Sequence, residues 1–131
     1  MDRSLILLAL FSAFPVGAQQ IDCASPMTQS GMTICAGRDF KTADAELNAT
    51  WQQAVAAARQ MDQYLEAGDV PAETTLRDAQ RAWISFRDKA CEAEALSVRG
   101  GSMHPQVVMF CMERLTRART EDLKIFYGMI N

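Results

Sequence analysis

Apolar residues in this chain recur at helical spacing, not strand spacing. From Phe40 the pattern runs Phe40, Leu47, Trp51, Ala54, Ala58, Met61 and Leu65, at intervals of three, four or seven, which traces one face of a helix. Upstream, Ser25 and Pro26 fit an N-cap and a first helical position. The first helical region is therefore expected from there to about Leu65, ending at Gly68, with a break or kink near Gly37 to Lys41. A second helix is expected from Pro71 to about Val98, with Leu76, Ala79, Trp83, Phe86, Ala90 and Ala93 facing inward and Glu73 favoured by the dipole of its first turn. After Arg99-Gly100-Gly101-Ser102-Met103-His104, a third helix is expected from Pro105 to Tyr127, facing inward with Val108, Met112, Leu115, Leu123 and Phe126. Alternating β-branched stretches are missing, and short links between long helices favour antiparallel neighbours. The expected fold is all-α: an antiparallel bundle of three main helices with a disulfide-pinned N-terminal segment.

Residues 1–18 stand outside that fold. Arg3, the apolar run Leu5 to Phe14 and the small residues Val16-Gly17-Ala18 have the order of a cleaved signal peptide, and the run is too short to span a bilayer. Asp2 cancels part of the opening positive charge, and an uncleaved anchor or a buried N-terminal helix is the rival reading. Cys23 follows Gln20-Ile21-Asp22 and not a run of small residues, so a lipid anchor is not expected. Cleavage after Ala18 leaves 113 of the 131 residues (19–131), enough for one domain. Asp2 and Arg3 leave together, so the net charge stays at −3. That mild acidity gives no electrostatic footing for nucleic acid, and no later segment is apolar enough for stable membrane insertion.

Cys23, Cys35, Cys91 and Cys111 are an even count in an exported chain, which reads as a disulfide framework and places the protein in the periplasm or outside the cell. No Cys-x-x-Cys pair supports zinc, and His104, the single histidine, has no ligand spacing, so no metal or cofactor is expected. Cys91 lies seven residues before the end of the second helix and Cys111 six after the start of the third, so both sit about 10 Å from the connecting loop. A Cys91–Cys111 bridge is favoured by that match and contributes on the order of 3 kcal/mol. Cys23–Cys35 would then pin the N-terminal segment; the two other pairings stay open but lack the level match.

Three polar blocks carry a resemblance. They are Ala43-Asp44-Ala45-Glu46-Leu47-Asn48, then Ala79-Gln80-Arg81-Ala82-Trp83-Ile84-Ser85-Phe86-Arg87-Asp88-Lys89-Ala90-Cys91, and Cys111-Met112-Glu113-Arg114-Leu115-Thr116-Arg117-Ala118-Arg119. Together they resemble the Asp-x-x-Leu-Asn, Gln-Arg-x-Trp-x-x-Phe/Tyr-Arg-Asp-x-x-Cys and Cys-x-x-x-x-Thr-x-x-Arg blocks of the bacterial LprI-type lysozyme-inhibitor family, over nearly the whole mature chain. The resemblance implies an exported helical domain whose partner is a protein such as a lysozyme. Some family members are lipoproteins, which the missing lipid-attachment cysteine argues against here.

Trp51, Trp83 and Phe86 are expected in the core. Asp44 and Asn48 share a helix face and put polarity into an apolar stripe. Counting outward from the loops sets Trp51 level with Arg87 and Arg87 level with Thr116, with Arg119 one turn away. Arg87 then reaches Asn48 or Thr116, and meets Asp44 only if the first helix is kinked or shifted. Asp44, Asn48, Gln80, Arg87, Thr116 and Arg119 are read as a polar network that sets helix register, with a ligand site as the alternative. Gly101, Ser102 and His104 are the candidates for partner contact: glycines permit close approach, and Ser102 and His104 can hydrogen-bond the paired carboxylates of a glycosidase, about 5–9 Å apart. Catalysis is not expected, since His104 lacks a nucleophile and an orienting acid nearby in sequence. The sequon Asn48-Ala49-Thr50 falls in mid-helix and is read as chance. Two functions follow: an inhibitor that blocks a muramidase cleft, or an interaction module of the cell envelope without inhibitory activity.

Overall fold

The computed structural model describes residues 21–128; the expected signal segment, 1–18, lies outside them. Three long helices carry the fold: α1, Gln29–Met61; α2, Ala72–Glu94; and α3, His104–Gly128. A 3-10 turn, Asp62–Tyr64, follows α1, and another, Ala95–Val98, extends α2. No strand occurs among the described residues. The chain runs up, down and up, and α1 packs mainly against α3. Among the described residues no helix is long and apolar enough to cross a membrane.

The start of α1 differs from expectation. Thr28, not Ser25, is the N-cap: it is extended, and its hydroxyl accepts the Gly31 N–H at 3.0 Å. Gly31 is buried, and a Cβ there would meet Thr28 Oγ1 at 3.1 Å and Ile21 and Pro26 at 3.6 Å, so the N-terminal segment folds back against bare backbone. The Cys23–Cys35 disulfide holds it there. The expected break near Gly37 is absent, and α1 is one helix about 50 Å long. Buried Cys35 and Ala36 anchor that stretch, which offsets the roughly 1 kcal/mol that glycine costs in mid-helix.

Burial on α1 follows Ala36, Ala43, Leu47, Thr50, Ala54 and Ala58, a face of mostly small residues on the helix that packs mainly against α3. The far end of the expected stripe is exposed, Met61 at 44% and Leu65 at 42%, because the helix stops four residues early and the chain turns away. Asp62 then works across the turn, its carboxylate accepting the backbone N–H groups of Ala72 and Glu73 at the start of α2. Gly68, at φ +99°, makes the reversal that a side chain would strain.

On α2 the inward face is Leu76, Gln80, Arg87 and Cys91. Phe86, expected in the core, is 61% exposed, and Ala79 and Ala93 are exposed too. One residue is about 100° on a helix, so turning Arg87 inward turns Phe86 out. Trp51 and Trp83 are half-buried against the lower core of Leu47, Ala54, Val55, Ala58, Leu76 and Leu123. A second core holds Cys91, Ala95, Val108 and Cys111. The Cys91–Cys111 disulfide crosses it with a Cα–Cα distance of 5.3 Å, at the level that counting from the loop predicts.

Candidate functional site

Between the two cores lies a polar layer centred on Arg87, which is 8% exposed. Its Nη1 donates to Thr116 Oγ1 at 3.3 Å and lies 3.6 Å from Asp44 Oδ1. Nε and Nη2 both reach Asp88 Oδ1 at 2.9 Å. The guanidinium also lies over two rings, 5.4 Å from the centroid of Phe40 and 5.1 Å from that of Trp83, so its faces and its edges are both engaged. Asn48 Nδ2 donates to Asp44 Oδ2 at 3.2 Å, which orients the carboxylate toward Arg87. Thr116 is fully buried, and Thr120 donates to its carbonyl at 3.0 Å.

Asp44 meets Arg87 although α1 is unbroken. The early stop of α1 at Met61 is the shift that contact needs. Arg87 stands fifteen residues into α2, and fifteen residues back from Met61 is Glu46, midway between Asp44 and Asn48. Gln80 and Arg119 form a separate pair, with Arg119 Nε donating to Gln80 Oε1 at 2.9 Å. The six polar residues singled out in the sequence thus fall into two groups on neighbouring levels. Phe40 and Asp88 complete the Arg87 layer and were missed; the Arg-Asp dipeptide in the second block was the available signal.

The second candidate is the turn after α2. Gly100 adopts φ +76°, and a Cβ on Gly101 would crowd the Val98 carbonyl at 3.2 Å. The turn is tied by its own backbone: Arg99 N–H to Leu96 O at 3.2 Å, Gly101 N–H to Val98 O at 3.0 Å and His104 N–H to Gly101 O at 3.2 Å. Gly101 and Ser102 are exposed at its apex. His104 opens α3 and is not a loop residue, and its Nε2 sits 3.5 Å from Glu92 Oε2 on α2. The Cys91–Cys111 bridge closes the hairpin just below. Among the described residues no group of three or more His, Cys, Asp or Glu is placed to hold a metal ion.

An uncharacterised protein of Rhizobium meliloti (strain 1021) is 44% identical over 124 residues, a span of 89% of this chain and 88% of that protein. No solved structure matches. The family model described as lysozyme inhibitor LprI matches residues 22–123, a stretch that contains both disulfides, the whole Arg87 layer and the Gly100-Gly101 turn. This chain therefore belongs to the LprI lysozyme-inhibitor family.

Proposed function

We propose that the protein is exported, binds a muramidase and blocks its cleft. The match of residues 22–123 to the lysozyme inhibitor LprI family carries this reading. The 99–104 turn is the segment we assign to the cleft. It is exposed, hydrogen-bonded within itself and closed by a disulfide, so little conformational freedom is lost when it enters a partner. Ser102 supplies a hydroxyl donor, and His104 can exchange Glu92 for a carboxylate of the partner. A net charge of −3 speeds encounter with a basic enzyme, modestly at physiological salt. Cleavage of residues 1–18 and delivery to an oxidising compartment fit the two disulfides.

Phe86, 61% exposed and away from the turn, favours a second reading, an envelope interaction module without inhibitory activity. Muramidase turnover of cell walls, measured against added mature protein, separates the two. The inhibitor reading expects activity to vanish near one equivalent. It also expects Ser102→Arg, at an exposed position, to weaken inhibition at least tenfold with melting unchanged. No effect on any of several lysozyme classes would leave the non-inhibitory module. Full inhibition by the Ser102 variant would keep the function and remove the turn from it.

A further inference from the structure

At the end of the bundle away from the 99–104 turn, α2 and α3 part around a groove of about 390 Å³. Its walls are Met61, Ala72, Leu76, Ala79, Leu123 and Phe126, and its charged groups are Arg119 and Asp122. That size and lining fall within the ordinary range for a small-molecule site, an apolar cleft with few polar groups. Ala72 and Ala79 are seven residues apart on α2, as are Phe126 and Arg119 on the antiparallel α3, so the groove extends about 10 Å. The Arg119–Gln80 hydrogen bond fixes the guanidinium at the Ala79 end. The groove thus has hydrocarbon along most of its length and, at one end, a cation with the Asp122 carboxylate nearby.

Arg119 has unused capacity. Among the described residues its one hydrogen bond runs from Nε to Gln80, which leaves both Nη nitrogens for another acceptor. Burial pushes its pKa down, and the nearby Asp122 opposes that only in part, so the cation is short of negative charge. Two parallel guanidinium N–H groups match a carboxylate better than any neutral head group. Asp122, at the same end, disfavours a dianion such as a phosphate monoester.

We propose that this groove binds a free medium-chain fatty acid, with the alkyl chain between α2 and α3 and the carboxylate on Arg119. The site is separate from the turn assigned to muramidase and stands whether or not the protein inhibits that enzyme.

Calorimetric titration of the oxidised mature protein with octanoate tests it. One saturable site is expected. Affinity should rise about fourfold per methylene from hexanoate to octanoate, the increment for burying one such group. Octanol should bind at least tenfold more weakly than octanoate. Arg119→Gln should weaken octanoate at least tenfold and leave octanol nearly unchanged. Ala79→Trp, at an exposed lining position, should block both ligands without lowering the melting temperature. The proposal is overturned by no saturable octanoate binding, by equal binding of octanol, or by an Arg119→Gln variant that binds octanoate normally. Binding to phosphatidylglycerol vesicles alone would point to a membrane surface, and binding only after removal of residues 129–131 would make the chain's own end the occupant; either result also overturns it.

Discussion

Arg87→Ala is the most informative single change. The side chain is 8% exposed, and its removal takes the donor from Thr116 Oγ1, which is fully buried. An acceptor left unsatisfied in that way costs about 1–3 kcal/mol. The contacts with the Phe40 and Trp83 rings are worth about 0.5–2 kcal/mol each. The ion pairs add less: the Asp44 and Asp88 side chains are 43% and 52% exposed, and such pairs contribute about 0–1 kcal/mol. Release of a long, ordered side chain returns up to about 2 kcal/mol. The net loss is expected at about 3–5 kcal/mol, the usual cost of removing one partner from a buried ionic group. In a domain of this size each kcal/mol lowers the melting temperature by about 4–8 °C, so a fall of at least about 12 °C is expected. Asp44→Ala removes a carboxylate that is itself 43% exposed and should cost about 1 kcal/mol or less. Thermal and guanidinium unfolding of the oxidised protein, followed by circular dichroism, would measure both. If Arg87→Ala unfolds within 1 kcal/mol of the parent, or Asp44→Ala costs as much as Arg87→Ala, the layer does not hold the helices in register as argued.

Limited reductant should open Cys23–Cys35 before Cys91–Cys111, because Cys23 is exposed while Cys91 and Cys111 are buried; alkylation and peptide mass analysis would give the order. Replacing Cys91 and Cys111 together by alanine should cost about 3 kcal/mol, from the loop of that length, and a cost below 1 kcal/mol would mean that packing alone closes the hairpin. Glu73 is held down to about 2 from its ordinary 4.5, chiefly by the hydrogen bond from Arg59 and then by that from Arg77. A lowered carboxyl stabilises the fold fully above its unfolded value and loses that contribution as pH falls from 4.5 toward 2. Melting temperatures across that range should therefore fall less steeply for Glu73→Gln than for the parent. Gly37→Ala should stabilise by about 0.5–1 kcal/mol, since the position is helical and open space surrounds the added Cβ; Gly100→Ala, at φ +76°, should destabilise by about 1–2 kcal/mol.

The helix count, the antiparallel order, the Cys91–Cys111 pairing and the family were all legible from spacing and motif. Equal distances from a short loop do not depend on where a helix ends far away, which is why the level of those two cysteines came out correctly. The level of Arg87 against α1 was misjudged because it depended on where α1 stops. Leu65 extends the apolar pattern, but the chain ends the helix at Met61 and uses Asp62 to cap α2. Phe86 was misplaced for a different reason: an apolar count assigns aromatic residues inward, whereas here Arg87 takes the interior between two rings and leaves Phe86 in solvent. The N-cap was misread because Ser25-Pro26 has the right chemistry, while the disulfide to Cys35 and the bare backbone at Gly31 move the first turn to Thr28.

Each disulfide is confined to its own half of the molecule, one to the start of α1 and one to the α2–α3 hairpin, so no covalent bridge joins the halves except the peptide chain from Met61 to Ala72. A protease that nicked that exposed stretch would release two pieces related by noncovalent association alone. Their reunion would obey mass action, weakening on dilution as it does for a heterodimer. The chain is in that respect a tethered pair of complementary fragments.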